Sequence, residues 1–350
     1  MFFASDNGAP VHPSVLNALS EANTGYAGGY GADALSLEVE ERIRTLFEAP
    51  EAQVFLLPTG TAANALALAT ICQPWQTIYC HRNAHIEEDE AGAPEFYTNG
   101  AKITLVEGEH GLIDPALLSA VITNAAASGV HNVQRGCLSI TTATECGTVY
   151  SLDQLKTLTS IAAKFDMPCH LDGARFANAL IKLGCSPAEM TWKAGIDILS
   201  FGGTKNGLMG VEAVVIFDPK TTWEFELRRK RGGHLFSKHR YLAAQFKAYL
   251  DNDLWLTLAR QANASAQTLL SELASVDNFS CLHPVDANLL FVEFPRALHR
   301  NLAKAKAQYY FWPFNQTLEG PDHEMISARL VCSWSTTQDD IRKFIGAIHA

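Results

Sequence analysis

Blocks of apolar and polar residues alternate along the first two thirds of the chain, and their spacing predicts strands and helices in turn. Short runs that are apolar at nearly every position are typical of strands covered by helices on both faces. We predict seven such strands, at residues 53–57, 77–81, 102–106, 137–142, 168–172, 197–201 and 212–217. Helical segments such as 61–71 and 152–165 lie between them, so the pattern indicates an α/β fold with a doubly wound, mainly parallel sheet.

The pattern changes after Gly233. Residues 235–274 carry a long helical periodicity, and two further strands, at 288–294 and 329–334, precede a predicted helix at 337–349. We therefore predict a large domain over residues 1–245, which begins with a short arm at 1–12, and a smaller α+β domain over residues 246–350.

Composition narrows the class of protein. The 350 residues carry 27 basic and 37 acidic side chains, a net charge of −10, which disfavours nucleic acid or an anionic membrane as the main partner. The first ten residues lack the features of a signal peptide, and prolines interrupt the uncharged stretch 52–80. The eight cysteines form no C-x-x-C pair. We expect a cytoplasmic protein with reduced thiols, neither membrane-bound nor bound to nucleic acid.

A turn of small residues, Pro58-Thr59-Gly60-Thr61, joins a predicted strand to an alanine-rich helix. Backbone N–H groups at a helix start, with two hydroxyls beside them, suit a phosphate group. The sequence has neither a Walker loop nor a G-x-G-x-x-G turn here. A plain helix cap would explain the same residues.

Two later segments also place polar residues directly after apolar strands. Asp172 ends one strand, where a doubly wound sheet has its ligand crevice, although an aspartate there is also a common helix cap. Lys205 lies among Gly203, Gly207 and Gly210; most lysines are solvated, but one enclosed this way suits covalent imine chemistry. Together, a helix start for a phosphate, a carboxylate for a pyridine nitrogen and an amine for an aldehyde describe a site for pyridoxal 5'-phosphate (PLP).

The sequence resembles the L-threonine aldolase family, within the aspartate-aminotransferase-like fold type I of PLP enzymes. The resemblance runs nearly end to end, and its paired segments Asp172-Gly173-Ala174-Arg175 and Thr204-Lys205 are quite specific. The other matching segments are Ser5-Asp6-Asn7, Tyr30-Gly31-Ala32-Asp33, Pro58-Thr59-Gly60-Thr61, Ala84-His85 and Arg329-Leu330-Val331.

The resemblance implies a role for each matching residue. Lys205 would form the covalent aldimine with PLP, Asp172 would pair with the ring nitrogen, and His85 would stack on the ring. Further cofactor contacts would come from Thr59, Gly60, Thr61, Arg175, Thr204 and Arg229. Substrate contacts would come from Ser5, Tyr30, Asp89, Arg175 and Arg329. The arginines suit a carboxylate because the guanidinium fork can bond both of its oxygens.

The implied activity is reversible retro-aldol cleavage of L-β-hydroxy-α-amino acids, such as L-threonine, L-allo-threonine or phenylserine, to glycine and an aldehyde. Many family members have a histidine where this chain has Glu145, so His85, Glu145, Asp89 and an ordered water all remain candidates for the base, and a packing role for Glu145 remains open. A β-eliminating lyase or decarboxylase of the same fold, and a non-catalytic phosphate-binding protein, are the alternatives. The family also implies a homodimer or homotetramer.

Three further patterns are open to more than one reading. His81 and His85 have the spacing of a zinc pair, but the H-E-x-x-H glutamate is missing, and we expect no metal and a solvated acidic cluster at 87–90. The basic run 228–231 suggests a solvated face, or, from the family resemblance, a contact from Arg229, Arg231 or Lys238 to the cofactor phosphate of a neighbouring subunit. We interpret the aromatic stretch 309–312 as core of the small domain.

Overall fold

A seven-stranded sheet forms the centre of the larger part of the molecule, in a computed structural model that describes residues 1–125 and 129–349. The strand order is β1-β7-β6-β5-β4-β2-β3, and only β7 runs against the other six. The strands are β1 (Gln53–Leu57), β2 (Gln76–His81), β3 (Lys102–Val106), β4 (Gln134–Thr141), β5 (Cys169–Gly173), β6 (Ile198–Phe201) and β7 (Glu212–Ile216). The mainly parallel sheet predicted from the sequence is therefore confirmed, with strand ends that differ by three residues at most.

Helices cover both faces of this sheet. Successive residues of β1 alternate between two hydrophobic clusters, with Val54 and Leu56 in one and Phe55 and Leu57 in the other, so each face packs against its own helices. The helices of this part of the chain are α1 (Pro13–Ala22), α2 (Ala34–Leu46), α3 (Gly60–Ile71), α4 (His85–Glu88), α5 (Ala93–Tyr97), α6 (Pro115–Asn124), α7 (Leu152–Ala163), α8 (Phe176–Leu183), α9 (Thr222–Arg231) and α10 (Arg240–Leu250).

The long helical periodicity after residue 235 belongs to two helices. The first is α10 and the second is α11 (Leu254–Leu273), with a break at Asp251–Asp253 between them. Asn252 and Asp253 adopt φ angles of 52° and 53°, a left-handed conformation that short polar side chains tolerate better than most. Among the described residues, no helix has the length and apolar character needed to cross a bilayer.

A second sheet, of four antiparallel strands, lies in the C-terminal part of the chain in the order β10-β11-β9-β8. Its elements are β8 (Ser280–Cys281), β9 (Leu289–Pro295), α12 (Arg296–Lys304), β10 (Tyr310–Phe311), β11 (Met325–Val331) and α13 (Gln338–Ile348). The strand predicted at 329–334 begins four residues earlier and ends three residues earlier. The predicted domain boundary falls inside α10 and stays a prediction.

The N-terminal arm connects the two sheets. Phe3 is fully buried with the small-sheet core, its N–H donates to the Gln308 carbonyl at 2.7 Å, and its own carbonyl accepts the Val331 N–H at 2.8 Å. The chain then makes a short 3₁₀ turn at Asp6–Gly8. This path brings residues 5–7 to the carboxyl edge of the large sheet, where Asp6 reaches the residue that precedes α8.

Candidate active site

One cavity of about 300 Å³ lies at the carboxyl edge of the large sheet. The carboxyl ends of β1, β5 and β6 meet the beginning of β7 there, because β7 runs in the opposite direction. Seven of the residues that the sequence proposes for the cofactor line this cavity: Thr59, Gly60, Thr61, His85, Asp172, Thr204 and Lys205. The remaining lining residues are Asn7, Pro58, Asn64, Glu90, Ala174 and Glu212.

The turn at Thr59 caps helix α3 and leaves room in front of it. Thr59 Oγ1 accepts the Ala62 N–H at 3.2 Å. A Cβ placed on Gly60 would meet no atom within 4 Å, so the turn faces open space. The first N–H groups of a helix have no intrahelical partner and carry the positive end of its dipole. The turn is thus both a cap and a suitable anion site, and a phosphate would fit its chemistry.

Asp172 is held by donors on both of its oxygens. It is 2% exposed; Oδ1 accepts the Ala174 N–H at 3.0 Å, and Oδ2 accepts the Asn64 amide at 2.9 Å. The second bond ties the strand end to helix α3. A buried carboxylate fixed in this way, at the floor of a cavity, has the chemistry needed to face a protonated ring nitrogen.

Glu90 extends this hydrogen-bond network to His85. The sequence analysis missed this residue because it expected the acidic cluster at 87–90 to be solvated. That expectation is wrong for Glu90, which is 4% exposed, although its three predecessors are exposed. Its Oε1 accepts the Asn64 amide at 3.0 Å and lies 2.9 Å from His85 Nδ1. Burial raises the pKa of Glu90 above its usual range. Burial alone would lower the pKa of His85, but the bond to Glu90 and the charge of Glu145 outweigh it and raise the pKa.

Two buried polar atoms of this network have no partner among the described residues. They are Asn64 Oδ1 and Glu90 Oε2. Unsatisfied buried polar atoms are costly and are concentrated at sites that bind something. Their position beside His85 and Asp172 supports the fit of a polar aromatic cofactor to the cavity.

Lys205 is half-buried in a 3₁₀ turn at Thr204–Asn206 that is anchored from both sides. On one side, the Asn206 amide donates to the Tyr249 hydroxyl and the Trp255 carbonyl, both at 2.8 Å. On the other side, Glu212 accepts a backbone N–H from the residue before the turn. The lysine therefore projects from a rigid support.

Arg175 is engaged in a buried ion pair. Its Nε and Nη2 donate to the two oxygens of Asp6 at 2.7 and 3.0 Å, and both side chains are less than a tenth exposed. Burial would raise the pKa of Asp6, but the adjacent Arg175 guanidinium holds it below its usual range. Ser5 Oγ accepts the Asn7 N–H at 3.2 Å and so caps the turn that presents Asp6.

Arg329 is held very differently. Its guanidinium carbon lies 5.5 Å from the ring centre of Tyr310 and 5.4 Å from that of Trp312, and its Nε is buried without a partner among the described residues. Burial and the charge of Arg175 lower its pKa. The interpretation of residues 309–312 as small-domain core is therefore wrong only for Tyr310, which is exposed. Tyr309, Phe311 and Trp312 pack on clusters of the small sheet, although the Trp312 ring also faces Arg329.

Glu145 is half-buried and close enough to raise the pKa values of His85 and Arg175. It and Asp89 also act to raise the pKa of Arg329. Asp89 itself is exposed at the end of α4. The two acids are thus close enough to Arg329 for their charges to act on it.

The other seven predicted site residues do not line this cavity: Ser5, Tyr30, Asp89, Glu145, Arg175, Arg229 and Arg329. Tyr30 is 53% exposed, with the Lys230 amine 4.8 Å from its ring centre. Arg229 is 8% exposed and packs over the Phe55 ring at 4.8 Å, so the expectation of a solvated basic face is wrong at this position. In a single chain, neither residue reaches the cofactor cavity.

The predicted histidine pair is split between two elements. His81 ends β2, with Nε2 3.1 Å from the Gly108 carbonyl, whereas His85 begins α4. Over residues 1–125 and 129–349, no three or more histidine, cysteine, aspartate or glutamate side chains form a group that could hold a metal ion.

A doubly wound sheet with a lysine, a carboxylate and an open helix start at one edge defines the PLP-dependent enzymes of fold type I. Residues 3–296 match the model of the beta-eliminating lyase family. The chain is 39% identical over 341 residues to a low specificity L-threonine aldolase of Pseudomonas aeruginosa, with 97% of this chain and 95% of the relative covered. It is 38% identical over 348 residues to the enzyme of that name from Pseudomonas sp., with 99% and 97% covered.

The chain belongs to the family of these L-threonine aldolases, among the beta-eliminating lyases, so the resemblance noted in the sequence is confirmed. A solved structure, the threonine aldolase of Leishmania major, superposes with a TM-score of 0.91 at 24% identity and covers 99% of this chain and 98% of that one. The shared architecture supports the same fold.

Proposed function

We propose that this protein is a PLP-dependent aldehyde-lyase that cleaves L-β-hydroxy-α-amino acids to glycine and an aldehyde. The observation that carries the proposal is the convergence of Lys205, Asp172 and the Thr59–Thr61 turn on one cavity, with Arg329 nearby. Its family relatives bear the name of this activity.

We propose contacts for each part of the cofactor from the residues that line the cavity. Thr59, Gly60, Thr61 and Thr204 would hold the phosphate, Asp172 the ring nitrogen, and His85 the ring face. Lys205 Nζ would carry the covalent link to the cofactor's aldehyde. When bound, PLP withdraws the electron pair that bond cleavage releases.

Arg329 is the group best suited to bind the substrate carboxylate, because the described residues leave its fork without an ion-pair partner, whereas Asp6 already occupies that of Arg175. Arg175 would then support the site through Asp6 and Ser5. Binding the carboxylate at Arg329 orients the substrate so that its Cα–Cβ bond is the one that breaks.

We assign the base to Glu145. The bond to Glu90 and the raised pKa favour the protonated form of His85, which cannot accept a proton. Glu145 lies among His85, Arg175 and Arg329 and is available to take the β-hydroxyl proton. The Cα–Cβ bond then breaks, the aldehyde leaves, and Cα receives a proton to give glycine. Asp89, which is exposed at the rim, is left as a substrate contact.

We also propose self-association, as a homodimer or homotetramer. The segment 23–30 is exposed along its whole length and displays Tyr26 and Tyr30, and Lys238 is exposed nearby in the chain segment that Tyr30 contacts. Such a surface fits an interface through which Tyr30 and Arg229 would approach a neighbouring site. Light scattering from the purified protein measures the assembly directly.

A substrate panel tests the proposed activity. We expect L-threonine, L-allo-threonine and phenylserine to yield glycine and the matching aldehyde, with a yellow protein that borohydride bleaches.

Lys205→Ala should be colourless and inactive, and Glu145→Gln should lower kcat by about 10²- to 10⁴-fold because the general base is lost. Lys193→Ala, which removes an exposed ion pair with Glu48, is the control and should behave as wild type. Pyruvate and ammonia from serine or cysteine, or carbon dioxide release, would overturn the assignment in favour of β-elimination or decarboxylation.

A further inference from the structure

The proposed reaction gives no role to Glu212, although this carboxylate lines the cofactor cavity and is only 7% exposed. It is the first residue of β7, so it stands at the edge of the sheet where the other strands end. Most glutamates are solvated, and a buried one needs partners that satisfy its charge.

Its partners belong to the turn that carries Lys205. Glu212 Oε2 accepts the Gly203 N–H at 2.6 Å, and Thr204 beside it lowers the pKa of this carboxyl group. Thr204 Oγ1 in turn accepts the Val211 N–H at 3.1 Å. Glu212 therefore closes a small ring of hydrogen bonds between the start of β7 and the lysine-bearing turn.

Glu212 also lies next to the proposed phosphate turn. In the sheet, it pairs with Leu57, two residues before Thr59. A Cβ on Gly210 would lie 3.5 Å from the Pro58 carbonyl oxygen, so the two loops are in close approach. A phosphate held by Thr59–Thr61 and Thr204 would thus share the cavity with this carboxylate, and two neighbouring anions cannot both stay ionised without a large cost.

The charged groups around Glu212 do not fully offset the cost of burying its ionised carboxylate. Lys205 lowers its pKa, but burial dominates and raises the pKa to about 7. From helix α10, Tyr249 faces it, with a phenol whose pKa is raised by burial. Asp172, Glu90 and His85 line the same cavity toward its ring end. At pH 7.5, a pKa of about 7 leaves roughly three quarters of the Glu212 side chains ionised when no phosphate is bound.

We propose that Glu212 is a positioning residue that takes up one proton when the cofactor phosphate binds, so that a neutral carboxyl group supports the Gly203–Lys205 turn beside the phosphate. The inference rests on the proposed location of the phosphate at Thr59–Thr61. Proton uptake by Glu212 makes the affinity of the protein for the cofactor depend on pH. The affinity for the cofactor is highest at low pH, where Glu212 is already protonated in the empty site. It falls as the pH rises above the pKa of Glu212 in the empty site, because the proton must then be taken from solvent.

Calorimetry with pyridoxamine 5'-phosphate measures this uptake, because that compound carries the phosphate but no aldehyde for Lys205. Titrations of the full-length, cofactor-stripped protein at pH 7.5, in buffers of different ionisation enthalpy, give the number of protons bound. We expect wild type to take up roughly 0.5–0.75 proton more than Glu212→Gln, whose amide oxygen still accepts the Gly203 N–H. Between pH 6.5 and 8.5, the Kd of wild type should rise roughly 25-fold relative to that of Glu212→Gln.

Two controls separate this role from a structural one. Pyridoxamine without phosphate should show no difference in proton uptake between wild type and Glu212→Gln. Glu90→Gln, at the ring end of the same cavity, should change the uptake equally for both compounds. Equal uptake by wild type and Glu212→Gln with the phosphate compound would overturn the inference and leave the proposed function intact. Failure of wild type to bind pyridoxamine 5'-phosphate would overturn both.

Discussion

Two arginines lie near the candidate active site, and they differ in the groups that contact their guanidinium. Arg175, at the end of β5, has a bidentate, buried bond to Asp6. Arg329, on β11 of the small sheet, lies between Tyr310 and Trp312 with an unpaired Nε. Sequence analysis predicted both as substrate contacts, and Arg175 as a cofactor contact as well.

The comparison shows that the neighbours of a charged side chain decide its use. A guanidinium whose fork is filled by an internal carboxylate contributes to the architecture, and its removal leaves a buried charge behind. A guanidinium supported mainly by aromatic faces, as Arg329 is apart from one long bond from Nη2 to the Ala4 carbonyl at 3.5 Å, keeps most of its donors for a ligand. Arg175 thus ties the N-terminal arm to the large sheet, and Arg329 is the arginine that we propose for the substrate carboxylate.

The largest expected effect comes from Arg175→Met. This change leaves the Asp6 carboxylate buried without its cation, so we expect the free energy of unfolding to fall by about 3–5 kcal/mol. Urea denaturation followed by circular dichroism measures it. The double variant Asp6→Asn with Arg175→Met, which removes both charges, should recover a large part of the loss. A single variant as stable as wild type would show that the ion pair does not hold the arm.

Arg329→Gln should affect catalysis instead of stability. Loss of a charged, partly buried carboxylate ligand is expected to lower kcat/KM for L-threonine roughly 10²-fold or more. The free energy of unfolding should change by less than about 1 kcal/mol, because no carboxylate loses its partner. Arg329→Lys keeps the charge but not the fork, and it should be intermediate. Unchanged kinetics combined with a large loss of stability would erase the distinction between the two arginines.

The smallest effect is expected from Trp312→Leu. Removing one aromatic face from a partly exposed guanidinium costs about 0.5–1 kcal/mol, so KM should rise a few-fold while the fold stays intact. Phe314→Leu is the matched control, because Phe314 contacts the Trp312 ring at 4.8 Å and is itself 62% exposed. Steady-state kinetics of the two variants should differ; equal KM values would mean that Trp312 does not support Arg329.

Much of the fold and part of the site follow from local sequence. Strands that are apolar on both faces predict a sheet covered by helices, and the seven predicted strands are all present. Asp172 lies at the end of such a strand, and Thr59 and Lys205 follow one by two and four residues. Because strand ends of one direction share an edge, these three could be expected to meet even though 146 positions separate the first from the last.

The partners of the charged groups could not be predicted in the same way. Glu90 belongs to an acidic run that looks solvated, Glu212 is the first residue of an apolar strand, and Asp6 lies in a short arm. Each is buried because a distant segment supplies its donor: Asn64 for Glu90, the Lys205 turn for Glu212, and Arg175 for Asp6.

Periodicity and residue type therefore specify which elements form, since these are set by short-range sterics and by the burial of apolar faces. The state of an ionisable side chain depends instead on the dielectric and the donors around it, and here these come from residues up to 282 positions away. That is why the lysine, the aspartate and the phosphate turn were recognisable along the chain, whereas the roles of Arg175, Arg329, Glu90 and Glu212 emerged only from their packing in three dimensions.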